Sequence, residues 1–80
     1  MQLNPKAFGF ALALFSGGVW LVVMGLSLLT GVLDQTVQAV GSFHPGFSYT
    51  WIGLLWMVAT HIVGGFVIGF VVASAYNKFN

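Results

Sequence analysis

The chain of 80 residues contains no cysteine, which removes disulfides, iron–sulfur ligation and thiol nucleophiles from consideration. Charge is nearly absent as well. Lys6, Asp34 and Lys78 are the only formally charged side chains, 4% of the residues, where a soluble domain carries roughly 25%. A net charge of +1 builds no basic patch, and nucleic-acid binding, which rests on phosphate neutralisation, is not expected. No nucleophile–base pair, phosphate-binding loop or carboxylate dyad can be assembled from the remaining side chains. Enzymatic activity is therefore not expected either.

Apolar side chains are what the sequence has in abundance, at 59% of its residues. They concentrate in two runs, Ala7 to about Gly31 and Trp51 to Ala75. A bilayer is crossed by about 20 apolar residues, and at that depth no water is present to satisfy backbone groups, so each run should be helical. The expected fold is an all-α integral membrane protein, one antiparallel hairpin of two transmembrane helices. Span 1 falls at about 7–31, a linker at 32–48 and span 2 at about 49–76. The first run is longer than the roughly 7 to 15 apolar residues of a signal-peptide core, and reads as an uncleaved span.

Local signals refine the boundaries. Asn4 is placed to cap the first helix, with Pro5 at its first position, where a missing N–H costs nothing, and the helix then extends to Thr30. In the linker, Leu33, Val37 and Val40 recur at helical spacing while Asp34, Gln35 and Gln38 point elsewhere, which predicts a short interfacial helix ending at Gly41. His44-Pro45-Gly46-Phe47 carries Pro and Gly in the two central places of a type II turn, and Ser48 or Thr50 is the expected N-cap of the second span. Lys6 precedes span 1 and Lys78 follows span 2, so the positive-inside rule puts both termini in the cytoplasm. Tyr49, Trp51 and Tyr76 fall at headgroup level. Trp20 sits near mid-span, facing lipid, a packed neighbour or a flat cofactor.

Small residues form two stripes. On span 2, Gly53, Met57, His61, Gly65, Gly69 and Ala73 recur every four residues; on span 1, Gly9, Ala13, Gly17, Leu21 and Gly25 do the same. Such faces let helix backbones approach closely, and van der Waals contact then replaces the hydrophobic drive that lipid removes. The glycines either pack the hairpin against itself or, with Gly18 and Gly64 added, also pack it against further transmembrane helices.

His61 lies on this stripe near mid-span, where an ionisable residue invites a functional reading because exposing it to lipid is costly. It is either a neutral ring bonded across the helix interface, with Ser16 and Thr60 as nearby hydroxyls, or an axial ligand to a chlorophyll-type pigment or haem. In the second case Gly64 and Gly65 would leave room for the macrocycle. A proton relay lacks an intramembrane carboxylate partner. His44 is expected at aqueous or headgroup level, apart from His61, and two histidines without a carboxylate make a poor metal site.

The segments SFHPGFSYTWIGLLWMV and GGFVIGFVVASAYNKF resemble a family of small two-span bacterial membrane proteins labelled bacteriophage holin-like. The resemblance runs from Leu3 to Phe79 and rests on the turn at Phe43 to Ser48, the glycine-rich second span and the closing Ala75-Tyr76-Asn77-Lys78. It implies insertion in the bacterial inner membrane and self-assembly into a lesion. The family favours an acidic residue in the middle of span 2, where this chain has His61. The residues themselves favour a non-enzymatic subunit that docks through its glycine faces into a homo-oligomer or a larger membrane complex, photosynthetic or respiratory if His61 holds a pigment or haem. A holin-like lesion former is the alternative.

Overall fold

A computed structural model describes residues 1–80 and is all-helical. It has three helices, α1 (Pro5–Thr30), α2 (Asp34–Gly41) and α3 (Trp51–Phe79). Two of them, α1 and α3, are long and apolar enough to cross a membrane. The helix ends follow local chemistry. Asn4 Oδ1 accepts the Ala7 N–H at 3.1 Å with Pro5 as the first helical residue, and Thr50 Oγ1 accepts the Gly53 N–H at 3.0 Å, which makes Thr50 rather than Ser48 the cap of α3. Gly31 ends α1 in the left-handed conformation at φ 81° and returns its N–H to the Ser27 carbonyl at 2.7 Å.

The long helices touch along most of their length, and the contacts run in reverse order. Leu3 meets Asn77, Gly9 meets Gly69, Gly17 meets Ile62, and Ser27 meets Tyr49. Close approach is made possible by missing side chains: a Cβ at Gly69 would stand 2.8 Å from the Gly9 Cα, and one at Gly17 would stand 2.7 Å from Ile62 Cγ1. At one end the Asn77 amide clamps the N-terminal segment, accepting the Leu3 N–H at 2.8 Å and donating to the Leu3 carbonyl at 2.6 Å. Toward the other end, Met24, Val37, Leu54 and Met57 form the one buried apolar cluster, flanked by Trp20, Leu28, Phe47 and Tyr49.

The linker does not extend away from the helices. Its type II turn forms as the sequence predicts, with Gly46 at φ 81° and the Phe47 N–H bonded to the His44 carbonyl at 3.2 Å. Gly41 is the last residue of α2, but its φ is not positive; it is small because the Phe47 ring lies where its Cβ would be. The chain then passes tightly over α3, where a Cβ at Gly53 would fall 1.8 Å from the Ser48 carbonyl oxygen. Trp56 fastens the turn, donating its indole N–H to the Pro45 carbonyl at 2.8 Å. Leu33, at the start of α2, is the only non-glycine residue with positive φ, at 58°.

A three-ring cluster at the candidate functional site

Three elements each contribute one ring to the site: Trp20 from α1, His44 from the turn after α2, and His61 from α3. The centroid separations are 5.0 Å for His44–His61, 5.2 Å for Trp20–His61 and 5.5 Å for Trp20–His44. All three side chains are half-buried. His44 therefore does not stand apart from His61. His61 lies ten residues beyond the start of α3, about 15 Å along its axis, and the folded-back linker carries His44 down to that level. A sequence read as separate segments could not show this. The signals that bear on it are Gly41, Gly46 and Gly53, three positions where the chain needs a missing Cβ to fold onto itself.

Both imidazoles are oriented by their own backbone. His44 Nδ1 lies 3.1 Å from the Val40 carbonyl oxygen and His61 Nδ1 lies 2.8 Å from that of Met57. A carbonyl can only accept, so each Nδ1 carries the proton and donates it. In the neutral ring that leaves Nε2 with its lone pair. The hydroxyls expected to reach the His61 ring go elsewhere. Ser16 Oγ lies 2.9 Å from the His61 backbone carbonyl and 2.7 Å from that of Leu12, and Thr60 Oγ1 donates to the Met57 carbonyl at 3.1 Å. α1 thus holds the backbone of His61 through Ser16 and meets its ring through Trp20 rather than through a hydroxyl.

Space around His61 is unequal on its two sides. Gly65 is taken up by α1, since a Cβ there would stand 2.7 Å from the Leu12 carbonyl oxygen, whereas Gly64 has nothing within 4 Å. The room foreseen for a macrocycle at both glycines is thus reduced to the Gly64 side. Gly9, Ala13 and Gly17 are buried against α3, and Gly53, Gly69 and Ala73 are buried on α3 itself. Gly25 is the exception. A four-residue repeat drifts around a helix of 3.6 residues per turn, so Leu21 is 52% exposed and a Cβ at Gly25 would meet nothing within 4 Å, while Met24 and Ser27 take over the inner face. Gly18 and Gly64 are likewise open. Each lies in a shallow apolar groove, the first beside Leu14, Phe15 and Val22 and the second beside Trp56, Ala59 and Val63.

Comparison with protein-family models, curated proteins and solved structures finds no match to this chain. The functional reading accordingly rests on the geometry above.

Proposed function

We propose that this protein is a non-enzymatic membrane subunit: a two-span hairpin inserted in the bacterial inner membrane with both termini cytoplasmic, docking against other transmembrane helices in a homo-oligomer or a larger complex. The observation that carries the reading is where the polar and apolar atoms lie. No buried side-chain nitrogen or oxygen lacks a hydrogen-bond partner, whereas the outward surface of both long helices is aliphatic and aromatic, with Leu14 78%, Phe15 70% and Ile52 79% exposed. Only 12 of 80 residues are buried. In water such a chain would leave most of its apolar surface uncovered; in lipid the same surface is solvated.

Gly9, Gly17, Gly65 and Gly69 serve the α1–α3 contact, so docking falls to the outward grooves at Gly18 and Gly64. Small residues at such points admit a neighbouring helix closely. A pigment or haem on His61, which would make the complex photosynthetic or respiratory, would have to enter from the open Gly64 side, past the Trp20 and His44 rings packed on the imidazole. The lesion-forming activity implied by the holin-like resemblance instead needs a polar outer face, and here Ser16, Ser27 and Thr60 bond inside the molecule.

Gly18→Leu and Gly64→Leu test the proposal. Each fills an open groove, so the hairpin should fold unchanged while native-gel mobility, or co-purification of partner subunits, shifts to smaller species. Unaltered assembly in the double variant would overturn the docking role. Collapse of the membrane potential on overexpression would favour lesion formation.

A further inference from the structure

We infer that Trp20, His44 and His61 form a binding site for one soft monovalent metal ion, copper(I) by class, with Ag⁺ as its redox-stable equivalent. The inference does not depend on the docking role. It starts from the lone pairs. Metal-bound histidines characteristically donate their second ring N–H to a carbonyl or carboxylate, which fixes both tautomer and orientation. His44 and His61 each have that arrangement already, through Val40 and Met57. In the neutral tautomer that these bonds select, each Nε2 keeps its lone pair, and no hydrogen bond within the protein engages either one.

The spacing agrees with ligation. The three centroid separations are nearly equal, and the point equidistant from all three lies about 3 Å from each. A metal bound through nitrogen stands about 3 Å from an imidazole centroid, about 2 Å of bond plus about 1 Å to the ring centre, so the spacing leaves room for one ion once both Nε2 atoms turn toward that point. A cation at that point also lies within the roughly 6 Å over which an indole ring attracts positive charge. Trp20 thereby supplies a third, electron-rich side to a bent two-nitrogen site.

Charge and ligand number select the ion. No carboxylate or thiolate stands near, and Asp34, the only acidic side chain, is exposed at the start of α2. No three His, Cys, Asp or Glu side chains stand close enough together to hold a metal ion. A four-coordinate zinc site is therefore incomplete here, and a divalent ion would bring two uncompensated charges into an apolar setting. A monovalent ion brings one. Imidazole is a ligand for copper, and copper(I) is held by as few as two or three donors, so the pair of histidines that is too few for zinc suffices for it, with the indole as the third side.

The decisive experiment uses the whole chain in detergent micelles, uniformly ¹⁵N-labelled, titrated with Ag⁺ while the histidine ring nitrogens are followed by NMR. Both Nε2 resonances should move together and saturate at one Ag⁺ per chain, with both Nδ1 resonances remaining protonated. If only one ring responds, or neither does, the site is overturned; if Zn²⁺ moves both rings and Ag⁺ does not, the assignment to a soft monovalent ion is overturned. No substitution is needed for that reading. A second measurement is competition for copper(I) against a chromophoric chelator, in which His44→Leu and His61→Leu should each weaken binding at least tenfold and Trp20→Leu should weaken it less. Wild-type affinity in both histidine variants would also overturn the site.

Discussion

Ser27 is the most deeply buried polar residue, at 1% exposure, and its hydroxyl is 2.6 Å from that of Tyr49. Removing one partner of such a pair strands the other, at a cost of about 1–3 kcal/mol in proteins generally, although bonds between transmembrane helices average nearer 0.6. Tyr49→Phe should therefore lower stability by about 1 kcal/mol, and adding Ser27→Ala should recover part of the loss. Unfolding in SDS followed by circular dichroism would show it, and a double variant less stable than Tyr49→Phe would contradict it. Backbone conformation offers a second contrast between single residues. Leu33 occupies the left-handed region at φ 58° and is exposed, so Leu33→Gly should stabilise by up to about 1 kcal/mol. Gly46→Ala should do the opposite: it combines φ 81° with a Cβ 2.7 Å from Trp56 Nε1.

For the helices, the question is which glycines hold α1 to α3 and which remain free for a neighbour. The spacing of small residues was legible in the sequence, but their division between inner and outer faces was not. That division follows from the drift of a four-residue repeat on a 3.6-residue helix, and from the close backbone approach at Gly9 and Gly69. Gly69→Leu should force the helices apart, because its side chain would meet the backbone of Gly9, whereas Gly64→Leu should leave them together. Near-ultraviolet circular dichroism of the two variants in micelles provides the comparison, and equal loss of tertiary signal in both would refute the assignment of faces. Asn77 is a further element-level restraint. Asn77→Ala should release the Leu3 amide to rapid hydrogen exchange while the centre of α1 stays protected.

For the whole molecule, the reversed order of contacts brings Lys6 and Lys78 to the same end and leaves the start of α2 at the other. The native chain has no cysteine, so single introduced thiols report topology without background. In intact cells, Gln35→Cys should react with a membrane-impermeant maleimide, while Gln2→Cys and Asn80→Cys should react only after the membrane is opened. The reverse pattern would invert the proposed orientation. The sequence by itself determined the helices and the two ends of α1, while it left the cap of α3 between Ser48 and Thr50 and its last turn short of Phe79: hydrophobic run length, Asn4 with Pro5, and the His44 to Phe47 turn are local signals, read within a few residues of where they act. It also located His61 as the unusual residue of the second long helix. Only the tertiary structure decided that His44 and Trp20 join it, because that meeting needs the linker folded back over Gly53 and fastened by Trp56. Contacts between residues 17 to 41 positions apart in sequence depend on close backbone approach, which a one-dimensional pattern of small residues permits but does not direct.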